Sequence, residues 1–227
     1  MDFLLSPSLM LSPSLMISLP ALGRGLVYTL ELAAVCLVAS LLLGLVFGVM
    51  RYAGGRMLHA LAIAYVEVFR NTPVLVQILW FFFALPILVN FEISAFIAAA
   101  LGLSLNSGAF SAEIFRAGMQ AVPKGQWEAA NALGMSRARV MFRIVLPQAV
   151  RNMIPAFTNR WIELFKLTSL ASVIAYPELV YSAQQISNSY FNPVEVFTLV
   201  AAIFIAIVIP ASYLLRRLEA RLRRSAP

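Results

Sequence analysis

The stretch LVYTLELAAVCLVASLLLGLVFGVM, running from Leu26 to Met50, carries a single charged residue, Glu31. About 20 apolar residues of helix, rising 1.5 Å each, are enough to cross a hydrocarbon core roughly 30 Å thick. The stretch therefore reads as a transmembrane helix, interrupted only by Thr29, Glu31 and Ser40. Gly44 and Gly48 stand four apart in it. Two readings of that spacing stand: a close approach by a neighbouring helix backbone, or glycines merely tolerated in an apolar helix.

The composition extends this reading to the whole chain. Of 227 residues, 61% are apolar and 12% charged, against about 45–50% and about 25% in a soluble domain. Such a chain has room for five or six spans and for no sizeable soluble domain. One cysteine, Cys36, excludes a disulfide framework, and one histidine, His59, excludes a Cys/His zinc site. Both read as ordinary helix residues. The formal charge of +7 reports Lys/Arg retained on the cytoplasmic side of a membrane rather than a nucleic-acid surface.

Arg51 and Arg56 flank Gly54-Gly55 in a short polar turn, after which residues 57–89 form a second apolar run. As continuous helix it would measure about 50 Å, too long for one upright span. Glu67, Arg70, Asn71, Thr72 and Pro73 interrupt it. Proline removes a backbone donor and biases the preceding residue away from helix, so the pattern predicts one tilted, broken span ending near Asn90. Residues 93–119 form a third span with Asn106, Ser107, Glu113 and Arg116. Residues 154–176 form a fourth with Arg160, Glu163 and Lys166, and residues 194–215 a fifth. The run Trp80-Phe81-Phe82-Phe83 reads as a lipid-facing or interfacial belt.

Between the third and fourth spans, residues 120–151 change character. Lys124, Arg137, Arg139, Arg143 and Arg151 stand among small and apolar residues, and two candidate helices meet at Gly134-Met135-Ser136. Gly134 suits the C-terminal stop of the first helix and Ser136 the N-cap of the second. Twelve of the seventeen Lys/Arg lie at 51–56, 120–151 and from 216 onward, whereas 90–92 and 177–193 hold none. The positive-inside rule then predicts five spans with an external N-terminus and a cytoplasmic C-terminus. A tandem LSPSLM hexamer at 5–16 lacks the basic n-region of a signal peptide and reads as an external or interfacial segment.

The 120–151 segment includes Glu128-Ala129-Ala130, three further residues, Gly134, nine residues, and Ile144-Val145-Leu146-Pro147. It resembles, in residue type and spacing, the EAA loop of permease subunits in bacterial ATP-binding-cassette importers. The resemblance extends over residues 22–218. Arg70-Asn71-Thr72-Pro73 with Gln77 resembles a segment of the polar amino-acid subfamily, as do Asn106-Ser107-Gly108-Ala109-Phe110 with Glu113 and Arg116. Lys166-Leu167-Thr168-Ser169-Leu170 resembles its Lys-Asp-Thr-Ser-Leu motif, with Leu167 where an acidic residue is common.

The resemblance implies an all-α, five-span permease of the type I importer fold in a bacterial inner membrane. Residues 1–21 would be an external segment, 22–218 the permease domain and 219–227 a basic cytoplasmic tail. It further implies a homodimer or heterodimer of permeases, a pair of ATPase subunits, an external binding protein and an amino-acid substrate. Glu128, Ala129, Ala130, Gly134, Ile144, Leu146 and Pro147 would dock on the ATPase. The chain has no Gly-x-x-x-x-Gly-Lys-[Ser/Thr] sequence, so ATP and magnesium would belong to the separate ATPase subunit and not to this chain. Neither a catalytic nor a metal constellation is expected.

Charges within the spans need a reason, since each costs at least about 2.5–3.5 kcal/mol at mid-depth. Glu67 and Arg70, Glu113 and Arg116, and Glu163 and Lys166 are each three apart and are able to neutralise one another. The alternative is functional. A helix broken at Asn71-Thr72-Pro73 frees N–H groups at the start of its second half, where half-helix ends bind substrate carboxylates. Asn71, Thr72, Leu75 and Gln77 are candidates there, with Asn106, Lys166 and Ser169 on the substrate path. Glu163 would favour a cationic substrate if unpaired and says nothing if paired with Lys166. Trp127 and Phe142 are candidate anchors for the ATPase. The runner-up function is an ion- or proton-coupled secondary transporter using the intramembrane Glu residues as a relay. It would leave the Glu128–Pro147 segment without a purpose.

Overall fold

The computed structural model describes residues Pro13–Arg224. Within them the chain is helical and contains no strand. The elements are α1 (Pro13–Ala53), α2 (Arg56–Asn71), α3 (Val74–Val89), α4 (Ala95–Gln120), α5 (Lys124–Ala132), α6 (137–167), α7 (Leu179–Tyr190) and α8 (Pro193–Arg224). A 3-10 turn, Thr168–Ile174, continues from the end of α6. The first LSPSLM copy and the start of the second lie outside the described residues. The extreme C-terminus, residues 225–227, lies outside them too.

Among the described residues, three helices are long and apolar enough to cross a bilayer: Ser18–Tyr52, Ala95–Gln120 and Pro193–Arg217. The pair Arg56–Asn71 and Val74–Val89 qualifies jointly, with a bend of 102° at the break between them. The break falls where the sequence predicts it, but the turn is far sharper than the tilt expected from run length alone. Thr72 takes an extended backbone (φ −99°, ψ 140°) ahead of Pro73, as the pre-proline clash requires. The expected fourth span is helical as Leu146–Leu167. Arg151, Arg160, Glu163 and Lys166 lower its apolarity. The outer surface is apolar, with Leu42, Val46 and Ile209 each more than half exposed. Such a surface suits lipid rather than water.

Two helical stretches widen into a π turn, Trp80–Ala84 and Met141–Val145, and each turn is followed closely by a proline, Pro86 and Pro147. The cause is local. A proline ring clashes with the carbonyl four residues earlier. Widening the turn moves that carbonyl aside, and the N–H groups of Leu85 and Leu146 bond five residues back, to Trp80 and Met141.

Two compact units divide the chain. Among the described residues the first comprises 13–36, 74–103 and 163–211; the second comprises 37–73, 104–162 and 212–224. In the first unit a core of Leu22, Leu179, Ala183, Ile186, Val196 and Val200 joins α1, α7 and α8. Here Glu178 is fully buried as the N-cap of α7, its carboxylate accepting the Tyr181 N–H at 2.8 Å. Thr29 of α1 accepts the Leu179 N–H at 3.1 Å. In the second unit Val122, Ala130, Val140, Val145, Ala149, Met153 and Phe157 form the core. Gly44 and Gly48 there permit close packing on α4: a Cβ at Gly44 would meet Ser111 Cβ at 2.3 Å, and one at Gly48 Phe115 Cβ at 2.7 Å. The close-approach reading of their spacing is the one realised.

Candidate docking hairpin and substrate path

The α5–α6 hairpin is built by backbone geometry that glycine makes possible. Gly134 sits at φ +70°, a left-handed conformation that costs other L-residues roughly 1–2 kcal/mol. Its N–H bonds the Asn131 carbonyl at 3.0 Å, and the Met135 N–H bonds Ala130 at 3.1 Å. These are the paired bonds of a Schellman stop. Ser136 occupies the N-cap position of the next helix with extended backbone, but its hydroxyl makes no capping bond.

The signature residues divide between two faces. Ala130 is buried, and Ile144 packs half-buried against the same cluster. Glu128, Ala129, Gly134, Leu146 and Pro147 are exposed. Leu133, a residue the sequence reading passed over, stands 80% exposed at the tip. Trp127 turns toward the cluster of the second unit, so of the two expected anchors only Phe142, 69% exposed, projects outward.

The helix break is stabilised by a second constellation. In an unbroken helix the carbonyl of Phe69 would receive the N–H of residue 73, which is proline. Asn106 Nδ2 donates to that carbonyl at 2.8 Å instead. The Asn106 Oδ1 accepts from Arg160 Nη2 at 2.8 Å, and the same guanidinium nitrogen donates to Ser107 Oγ at 2.9 Å. Arg160 is buried and lies 4.1 Å from the centroid of the Phe110 ring. Thr72 Oγ1 donates to the Val68 carbonyl and Asn71 Nδ2 to Glu67 Oε2, both on the surface. Of the expected path residues, Asn71, Thr72 and Asn106 thus gather in the second unit. Arg160 and Phe110, which are not among the expected path residues, join them. Arg160's charge in a span was a signal, but its partners lie 53 and 54 residues away, which no local spacing reveals.

The remaining path residues lie in the first unit. The α3 segment Val74–Leu79, with Leu75 half-buried and Gln77 buried, contacts the turn Thr168–Ile174. Ser169 on that turn donates to the Lys166 carbonyl at 2.8 Å, while Glu163 and Lys166 are exposed.

The ionic pairs expected along single helices are partly realised. Glu113 bonds Arg116 three residues on, and also Arg51 of α1, which makes it a clasp between helices. Arg70 instead lies 5.7 Å from the Phe110 ring centroid. Arg70, Phe110, Glu113 and Asn152 line an open cavity of about 450 Å³ in the second unit. Among the described residues no group of three or more His, Cys, Asp or Glu is arranged to hold a metal.

Residues 40–224 match the family described as binding-protein-dependent transport system inner membrane component. The glutamine transport system permease of Escherichia coli K12 is 38% identical over 207 residues, covering 91% of this chain and 94% of the relative. A probable glutamine ABC transporter permease of Bacillus subtilis 168 is 41% identical, covering 88% and 93%. A crystal structure described as an amino acid ABC transporter with histidines superposes with a TM-score of 0.87 at 35% identity, covering 92% of this chain and 97% of that one. The chain belongs to the family of binding-protein-dependent transport system inner membrane components, and its relatives are amino-acid ABC transporter permeases, membrane subunits distinct from the ATPase.

Proposed function

We propose that this chain is the permease subunit of an ATP-driven importer that carries a polar amino acid across a bacterial inner membrane. It crosses five times, with its N-terminus outside and C-terminus in the cytosol, and pairs with a second permease of the same or a different sequence. An external binding protein delivers the substrate. Two ATPase subunits, which hold the ATP and magnesium, drive transport through residues 128–147. The observation that carries this reading is the exposed hairpin around Gly134, with Glu128, Leu133 and Phe142 projecting from a basic segment. Orientation is supported by the division of the chain: the Lys/Arg-free loops fall in one compact unit and the basic ones in the other. The substrate carboxylate meets the start of α3, near Asn71, Thr72 and Leu75, with Gln77, Asn106, Glu163, Lys166 and Ser169 along the path.

The test is purification from native membranes in mild detergent, with mass spectrometry of what accompanies the chain, followed by uptake in liposomes. A co-purifying Walker A ATPase and ATP-dependent amino-acid uptake are expected. Gly134→Pro abolishes that uptake while the chain still inserts. Recovery of the chain alone, with uptake driven by a proton gradient, overturns the reading in favour of a secondary transporter.

A further inference from the structure

We propose that Arg160 and Asn106 form a mechanical relay carrying movement of the docking hairpin to the helix break at Thr72–Pro73. The proposal rests on the function proposed above and names two positioning residues for it.

The relay begins at the hairpin. Pro147 closes the signature segment, and Arg160 lies on the same continuous helix, Leu146–Leu167, about 20 Å further along at 1.5 Å per residue. A displacement of the hairpin is therefore a displacement of the Arg160 backbone. The Arg160 guanidinium is buried, 5% exposed, and holds Asn106 Oδ1, Ser107 Oγ and the face of Phe110. A buried guanidinium cannot surrender these partners without a heavy desolvation penalty, so α4 follows it or the contact breaks as a unit. Asn106 is also 5% exposed, and its amide has two ends. One is held by Arg160; the other supplies the hydrogen that Pro73 cannot give to Phe69. Pulling Asn106 away removes this hydrogen bond from the Phe69 carbonyl, three residues before Thr72, and weakens the end of α2 at the break. In the proposed relay the hairpin thus biases the break away from the bent arrangement that the structure shows.

The complete importer, this chain with its ATPase and binding protein, is reconstituted in liposomes and given a mixture of radiolabelled polar amino acids. Uptake and ATP hydrolysis are measured together. Arg160→Gln is expected to lower the amino acids imported per ATP about ten-fold, because hydrolysis continues at the docked ATPase while the break no longer responds. Uptake and hydrolysis falling in proportion would mean that Arg160 only holds the fold together, and would overturn the relay. No ATP-dependent uptake by the unmodified importer would instead overturn the proposed function, and the relay with it.

A thermal cycle decides the matter if Arg160→Gln does not assemble. Asn106→Ala is made in the natural chain and beside Pro73→Ala, which restores a backbone N–H for Phe69. The fall in melting temperature caused by Asn106→Ala is expected to be at least twice as large in the natural chain as beside Ala at 73. Equal falls would show that Asn106 does not substitute for the missing proline donor, and the relay would be abandoned.

Discussion

Glu178 is a carboxylate without a counter-charge in a fully buried position outside the apolar spans. Burial pushes its pKa from 4.5 up to about 7, against the pull of the Val180 and Tyr181 N–H groups and the Thr29 hydroxyl. The folded protein thus holds this proton more tightly than the unfolded chain. Its stability contribution is present in full below the unfolded pKa and is lost as pH rises through about 7. At 1.36 kcal/mol per unit, the whole effect is about 3 kcal/mol. Glu178→Gln keeps the shape and removes the charge. We expect the natural protein's melting temperature to fall between pH 5 and pH 8 while that of Glu178→Gln changes far less, the variant being the more stable of the two at pH 8. Parallel profiles for the two proteins would show that Glu178 does not titrate in this range.

At the scale of elements, the α1–α4 contact is set by what is absent. Gly44 and Gly48 bring α1 so near α4 that a Cβ would strike the Ser111 Cβ and backbone at one position and Phe115 at the other. At Gly23 and Gly55 an added Cβ would meet nothing within 4 Å. Gly44→Val should therefore destabilise by about 1–3 kcal/mol, the cost of overpacking a filled interface, whereas Gly55→Ala should leave the detergent melting temperature within a degree or two. Equal effects would mean that α1 and α4 do not pack at this distance. The spacing of the two glycines was visible in the chain. Which helix they face was not, since Ser111 and Phe115 are brought to them only by folding.

For the whole molecule, the prediction concerns sidedness. Cys36 is buried and should remain silent to thiol reagents. Phe191 and Leu133 are 90% and 80% exposed, in the first and second units respectively. A membrane-impermeant maleimide should label Phe191→Cys on intact cells and Leu133→Cys only once the membrane is opened. The opposite result would invert the proposed topology. Addition of the ATPase subunits should then protect Leu133→Cys but not Phe191→Cys, because in the proposed function only the hairpin docks on the ATPase.

Properties that reside in composition and short spacing were settled by the chain itself. Apolar runs of span length, the proline break at Pro73, the Gly134 stop and the Glu128–Pro147 signature each lie within one continuous stretch of the chain, where backbone sterics, hydropathy and spacing are read directly. The tertiary structure decided what depends on residues far apart. Arg160 meets Asn106 and Ser107, Arg51 reaches Glu113 across two helices, and Trp127 turns inward while Leu133 points out. A buried charge announces that it needs partners, because an unpartnered one is too costly to bury. Which partners it finds is a question of helix packing, and no local pattern in the sequence carries that information.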